Sequence, residues 1–110
     1  MTPRRRVVWA PEARNDLRDI RRYYARVASP QIADKVLREI YRVSETIAVH
    51  PLARRSRDEL MPGLRSALAR PYSIFYRVVD DDVQILRILH ERRDFPALFG
   101  TTKPSGDEAT

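Results

Sequence analysis

YSIFYRVVDDDVQILRILH, running from Tyr72 to His90, is rich in β-branched and aromatic residues read with a period of two, breaks at three aspartates and resumes. A two-residue period over this length is the signature of a half-buried strand. In the first half, Tyr72, Ile74, Tyr76 and Val78 share one face, and Ser73, Phe75, Arg77 and Val79 share the other. In the second half, strict alternation sets Leu86 and Ile88 on one face and Val83, Ile85, Arg87 and Leu89 on the other. Aspartate tolerates turn geometry and ends strands, so Asp80-Asp81-Asp82 joins strands Tyr72–Val79 and Val83–His90. A metal site on the three aspartates would need a further ligand, and none is placed to help. Just upstream, Leu64–Arg70 reads as another strand, preceded by a surface loop from His50 to Gly63 with a charge cluster at Arg54, Arg55, Arg57, Asp58 and Glu59.

Further upstream the period changes to that of a helix. Ala13, Leu17, Ile20, Tyr24 and Val27 are spaced alternately by four and three, which predicts one buried helical stripe after Pro11. Ser29-Pro30 ends that helix and starts the next, with serine as N-cap and proline as first helical residue. Ala33, Val36, Leu37, Ile40, Ser44 and Ile47 line the second helix, and Pro51 stops it. So short a connection makes an antiparallel helical hairpin. Val7, Val8 and Trp9 make Arg5–Trp9 a first strand. The expected fold is therefore α+β, in the order β-α-α-β-β-β, with the hairpin on one face of a mainly antiparallel sheet. Residues 1–100 form one domain, with Glu91 to Gly100 as a short extension. The polar stretch Thr101 to Thr110 reads as a disordered tail.

The whole chain has 110 residues, enough for one ordinary domain, and no cysteine, which removes disulfides, thiolate metal sites and cysteine nucleophiles. Its formal net charge is +6, and the cations are nineteen arginines and two lysines. Such a balance predicts an acidic partner, either nucleic acid or an acidic protein segment. Neither a signal peptide nor a membrane span is legible, so the cytoplasm is the expected compartment. Three glycines and two histidines leave no phosphate-cradling loop and no multi-histidine metal centre, so neither cofactor nor metal is expected.

Three features remain that could carry function. Arg14, Arg18, Arg22 and Arg26 recur every four residues along the first helix, a like-charge spacing that costs an isolated helix a few tenths of a kcal/mol per pair. This stripe is either a solvated face or a docking edge for an acidic partner. Two helices cover only one face of a sheet, so Phe75, Arg77, Ile85 and Arg87 are expected on the other, as an apolar patch dotted with arginine. Loops and the C-terminal extension could equally cover that face. Finally, His90, Glu91, Arg92, Arg93 and Asp94 close the last strand. They could support metal-free acid–base cleavage of RNA, or they could be a strand end with solvated surface pairs.

Ala10-Pro11-Glu12-Ala13-Arg14-Asn15-Asp16-Leu17, Arg22-Tyr23-Tyr24, His50-Pro51, Glu59-Leu60-Met61-Pro62-Gly63-Leu64-Arg65, Tyr72 to Val78 and Ile85 to Asp94 together resemble the ParE/RelE toxin superfamily. The likeness runs from about Val7 to Phe99. It implies the toxin of a type II toxin–antitoxin pair, with a ParD-like or similar acidic-tailed antitoxin that wraps and neutralises it. RelE-like members are ribosome-dependent messenger-RNA endonucleases, whereas ParE-like members poison DNA gyrase and lack the nuclease residues. Where RelE-like nucleases place an arginine after the tyrosine that opens the Tyr-x-x-x-Tyr strand, this chain has Ser73, and Phe99 stands where a tyrosine is expected. Ile88 to Asp94 looks like the ParE branch. The resemblance thus implies a gyrase inhibitor without catalytic residues, and, on the RelE alternative, catalysis by His90 and Arg93. A non-toxic module that keeps only the antitoxin grip is the third reading. The antitoxin surface is expected at Arg14, Arg18, Arg22, Phe75, Arg77, Ile85 and Arg87. Gyrase is expected to meet Arg92 and Arg93, with no sequence-specific nucleic-acid binding by the toxin alone.

Overall fold

The structure, a computed structural model, describes residues 4–92 together with Phe99. Strand β1 (Arg6–Trp9) leads into α1 (Pro11–Val27) and α2 (Pro30–Val49), followed by a 3-10 turn at Pro51–Ala53 and a short β2 (Arg55–Ser56). Strands β3 (Arg65–Ala69), β4 (Tyr72–Val79) and β5 (Asp82–His90) complete one five-stranded sheet in the order β1-β5-β4-β3-β2. The chain's first strand pairs parallel with its last, and every other pairing is antiparallel. The expected α+β order holds, with one addition. The stretch from His50 to Gly63 is not wholly irregular, because it contributes the 3-10 turn and the edge strand β2. Among the described residues no helix is long and apolar enough to cross a membrane. Gly100 and the residues from Thr101 onward, expected as a tail, lie outside the described residues, as do residues 93–98.

Each helix begins where its first residues satisfy local physics. Pro11 and Pro30 occupy first-turn positions, where the missing N–H costs nothing. The Ser29 hydroxyl accepts a hydrogen bond from Ile32 N at 3.1 Å, while Ala10 caps α1 without a side chain and is tied to the sheet by Ala10 N donating to Ile85 O at 2.9 Å. Ala13, Leu17 and Ile20 of α1 and Ile40, Val43 and Ile47 of α2 press onto Ile74, Tyr76, Val83, Ile85 and Ile88. Ala67 and Ala69 of β3 belong to the same core. Ile40 and Ile47 are fully buried, so truncating either to alanine costs about 2–5 kcal/mol. The Tyr76 hydroxyl donates to Pro51 O, which fastens the 3-10 turn to the core.

Strict alternation fails in β5. Phe75 pairs with Arg87 but the neighbouring Tyr76 pairs with Ile85, so Leu86 is an extra residue on β5. One inserted residue reverses which face the following side chains occupy. Val83 and Ile85 therefore lie under the helices with Ile88, whereas Leu86 and Leu89 pack on the opposite side with Phe75. The expected grouping of Val83 and Ile85 with Leu89 is corrected accordingly.

The second face is covered over Phe75 and Leu89. Leu60 and Leu64, with Met61 and Phe99, form a small core over Phe75 and Leu89. The covering loop is held by Leu60 N donating to Arg57 O at 2.9 Å and Leu64 N donating to Met61 O at 3.0 Å. Asp58 accepts from Gly63 N at 2.8 Å and from the Ser56 hydroxyl at 3.0 Å, and these donors hold its carboxyl below the usual range. Gly63 sits at φ +80°, a left-handed conformation that glycine adopts without penalty. Asp80 and Asp81 form the turn, with Asp80 at φ 55°, while Asp82 opens β5, one residue earlier than expected, and accepts from Arg6 at 2.7 and 3.3 Å. The basic start of the chain is thereby partly spent on the acidic turn.

Candidate functional site

The arginine stripe of α1 is exposed. The apolar residues Ala13, Leu17 and Ile20 claim the inward face, which leaves Arg14, Arg18, Arg22 and Arg26 on outward positions. Arg14 donates to Trp9 O at 3.4 Å, Arg18 to the neutral amide of Asn15, and Arg22 to Asp19 at 3.2 Å. Arg26 lies over the Tyr23 ring at 5.9 Å. Partners of this kind are local and solvated, so the guanidinium groups remain available to an acidic ligand.

The remaining residues expected on an antitoxin surface do not join that stripe. Phe75 and Ile85 are both fully buried, Phe75 beneath the Leu60–Leu64 loop and Ile85 beneath the helices. They sit on opposite faces because of the extra residue in β5, and neither offers surface. Arg77 is exposed and donates to Gln84 at 3.0 Å, on the sheet face turned away from α1. Arg87 is engaged internally. Its guanidinium donates to both Asp16 carboxylate oxygens, at 2.8 and 3.0 Å, and Asp16 also accepts from Ile88 N at 2.9 Å. This bidentate bond to Asp16 raises the Arg87 pKa above its ordinary value. β1 ends opposite Ile85, so beyond that point β5 has no strand neighbour on this side, and Asp16 caps the exposed backbone instead.

Asp16 also lines a groove of about 410 Å³ between α1 and the end of β5, with Asp19, Tyr23, Tyr24, Tyr72 and His90. The Tyr72 phenol is raised above its ordinary value, first by burial and then by its hydrogen bond with Tyr24. His90 meets Tyr72 edge-on at 5.6 Å, and its Nδ1 accepts from Arg92 N at 3.2 Å, which leaves Nε2 to carry the proton of the neutral ring. A second groove, about 560 Å³, lies over the opposite sheet face and is lined by Arg54, Arg55, Arg57, Ser66, Ser73 and Glu91, among others. Ser73 pairs with Leu89 and His90 with Tyr72, so the histidine and these arginines face opposite sides of the sheet. Glu91 is bound by Arg70 at 3.2 Å. Arg92 is exposed just past β5, and Arg93 lies outside the described residues. No group of His, Asp and Glu among the described residues could hold a metal ion.

The tyrosine and acid groove went unnoticed in the sequence. Tyr23 and Tyr24 stand out in the sequence only as a pair, and Asp16 only as part of the stretch Ala10–Leu17. Nothing local could have announced a partner seventy-one positions away.

Residues 7–95 match the family model described as the ParE toxin of the type II toxin–antitoxin system parDE. The chain is 36% identical over 70 residues to Toxin ParE3 of Caulobacter vibrioides, covering 64% of this chain and 70% of that one. It is 35% identical over 63 residues to Toxin ParE1 of Mycobacterium tuberculosis, covering 56% of this chain and 64% of that one. Among solved structures, a chain of the chromosomal ParDE toxin–antitoxin system of P. aeruginosa superposes with TM-score 0.70 at 28% identity, over 78% of this chain and 95% of that one. A chain of the toxin–antitoxin complex RelBE2 of Mycobacterium tuberculosis superposes with TM-score 0.56 at 26% identity, over 81% and 100%. With the family model spanning nearly all of the described domain, the helical hairpin and its five-stranded sheet belong to the ParE family of type II toxin–antitoxin toxins.

Proposed function

We propose that this chain inhibits DNA gyrase by binding it in the cytoplasm, without covalent chemistry or a cofactor, and is neutralised by a cognate acidic-tailed antitoxin. Membership of the ParE family carries this reading, and the structure adds that His90 lies across the sheet from Arg54, Arg55 and Arg57 and shares its own groove with Arg70 and Arg92. His90 looks onto Tyr72 on the helix side of the sheet, while Arg54, Arg55 and Arg57 line the groove on the other. Acid–base cleavage of RNA needs the proton-transfer group and the phosphate-stabilising cations within reach of one another. Ser73, buried and uncharged, supplies no such cation. Membership of the ParE family supports gyrase as the target. Arg92, exposed at the end of β5, is the proposed gyrase-facing residue, together with Arg93. Arg14, Arg18 and Arg22 form the proposed antitoxin grip on α1, and an antitoxin that also reaches Arg77 must wrap around the sheet.

Purified protein is expected to block gyrase supercoiling or to trap cleaved DNA, and the Arg92→Ala/Arg93→Ala double variant is expected to weaken that effect. No effect on gyrase at excess protein would sink the reading. Inducing the chain alone, with growth, the DNA-damage response and messenger-RNA ends followed together, separates the alternatives. Codon-level cuts abolished by His90→Ala would establish a ribosome-dependent endoribonuclease, and harmless expression would establish a non-toxic binding module.

A further inference from the structure

Among the described residues three serines are buried, and two of them have partners. Ser44 donates to Ile40 O at 2.9 Å, and Ser66 accepts from Arg57 at 3.4 Å. Ser73 is 3% exposed, on the face of β4 turned away from the helices, and its hydroxyl has no hydrogen-bond partner among the described residues. Burying an unpaired hydroxyl is unfavourable, so such a group marks a place where a ligand can supply the missing bond. Ser73 and Ser66 line the groove of about 560 Å³ that also presents Arg54, Arg55 and Arg57.

The segment that carries these cations is fixed within the fold. Arg65 donates to Arg54 O at 2.8 Å and to Leu52 O at 3.4 Å, and Arg55 pairs with Ser66 in the sheet. Arg57 is held between Glu59 at 2.8 Å and the Phe75 ring at 5.4 Å. Arg54 spends one N–H on the Thr46 hydroxyl, and Arg55 makes no ion pair among the described residues. Glu91, the one carboxylate among the described lining residues, is bound by Arg70 at 3.2 Å. Guanidinium and hydroxyl donors together suit the two free oxygens of a phosphodiester. No aromatic ring is among the described lining residues, so unstacked bases have no platform there. The groove therefore suits the backbone of a duplex, read without regard to sequence. A floor of hydroxyls also offers an amphipathic acidic segment little to bury.

We propose that this groove grips the phosphate backbone of double-stranded DNA, with the Ser73 and Ser66 hydroxyls donating to non-bridging oxygens and Arg54 and Arg55 neutralising the charge. The DNA is held, not cut. The site stands on its own residues. Its use, which is to hold the DNA segment that gyrase carries, rests on the gyrase reading proposed above.

The test uses the full chain and short fluorescein-labelled DNA duplexes of two unrelated sequences, with anisotropy followed across a salt series. Both duplexes are expected to bind alike. Arg54→Ala/Arg55→Ala is expected to weaken binding by about tenfold at low salt and to lower the slope of log affinity against log salt by about 2. Ser73→Ala is expected to weaken binding by about threefold or more, while the melting temperature of the free protein holds or rises, because no bond within the fold is lost. A purely structural serine would do the reverse, with a lower melting temperature and unchanged affinity. Absence of duplex binding would overturn the proposal, as would unchanged affinity in either variant or an equal loss from Arg14→Ala/Arg18→Ala on α1. Tighter binding of oligo(dT) would overturn it in favour of a single strand, and tighter binding of polyglutamate at the same residues in favour of an acidic polypeptide. Amide shifts at Ser73 with inorganic phosphate but none with duplex would overturn it in favour of a small anion. If the chain binds duplex as expected yet leaves gyrase untouched, only the gyrase reading falls. If it inhibits gyrase while both groove variants inhibit equally well, only this inference falls.

Discussion

Replacing Asp16 with alanine tests how the fold closes the edge of β5. The carboxylate receives three hydrogen bonds, two from the Arg87 guanidinium and one from Ile88 N, all between 2.8 and 3.0 Å. Hydrogen bonds to charged groups are worth about 1.5–3 kcal/mol each where water is excluded. The pair is not fully dry, since the Arg87 side chain is 26% exposed and that of Asp16 12%. Solvent screening and the shared geometry of the bidentate pair reduce the simple sum. A net loss of about 2–3 kcal/mol remains for Asp16→Ala. Asp16→Asn keeps one oxygen for Ile88 N and Arg87 Nε but loses the charge and turns an N–H donor towards Arg87 Nη2, so about 1–2 kcal/mol is expected, less than for alanine. For a domain of this size 1 kcal/mol moves Tm by about 4–8 °C, which puts Asp16→Ala roughly 10–20 °C below the parent. Calorimetry and urea titration measure the change, and a double-mutant cycle with Arg87→Met isolates the pair at about 1–2 kcal/mol. Hydrogen exchange at Ile88 N–H should accelerate in Asp16→Ala beyond what global destabilisation explains. A change in stability under about 0.5 kcal/mol, or equal damage from asparagine and alanine, would refute the reasoning.

Other positions offer independent checks. Gly63→Ala should cost about 1–2 kcal/mol in urea titration from its positive φ, with no steric contribution because nothing lies within 4 Å of the added carbon. Tyr76→Phe should cost about 1 kcal/mol by thermal melting, through loss of the bond to Pro51 O. Burial pushes the Tyr76 phenol up to about 12, so its neutral form is favoured in the fold. The stability it contributes is complete below the unfolded value near ~10 and falls as pH rises towards 12, visible as alkaline unfolding that tracks tyrosinate absorbance. Asp58, Glu39, Glu59 and Asp82 are all depressed, chiefly by hydrogen bonds from Gly63, Arg42, Arg57 and Arg6 respectively. Their contributions are present above the unfolded carboxylate values of about 4 and vanish as pH falls through the lower folded values, so the melting temperature should drop on that acid limb.

Much of the chain was legible before its structure. The Ser29-Pro30 break lies between the two observed helices, and Ser29 does cap α2. The turn at Asp80-Asp81 and the pairing of Tyr72–Val79 with the last strand also follow their local signals. The arginine stripe on α1 is exposed, as its spacing relative to Leu17 and Ile20 requires. The site was read less well, and for one recurrent reason. Counting by twos along Val83–His90 groups Ile85 with Arg87 and, across the ladder, with Phe75, whereas Leu86 opposes no residue of β4 and moves Ile85 to the other face while Arg87 still pairs with Phe75. Covering of Phe75 by Leu60 and Leu64, and capture of Arg87 by Asp16, likewise depend on segments remote in the chain.

The sequence by itself determined which elements exist, their order, the inward stripe of each helix and a surplus of arginine. Those properties are set by neighbours within a turn or two of chain, where periodicity and capping act. Tertiary structure alone decided the parallel pairing of β1 with β5, the extra residue that reverses the faces of β5, the cover over Phe75, and the closing of the β5 edge by Asp16. Strand neighbours and side-chain partners are chosen by shape and charge across the folded molecule. One guanidinium can thus become an internal clasp while others of the same residue type remain on the surface, available to a partner.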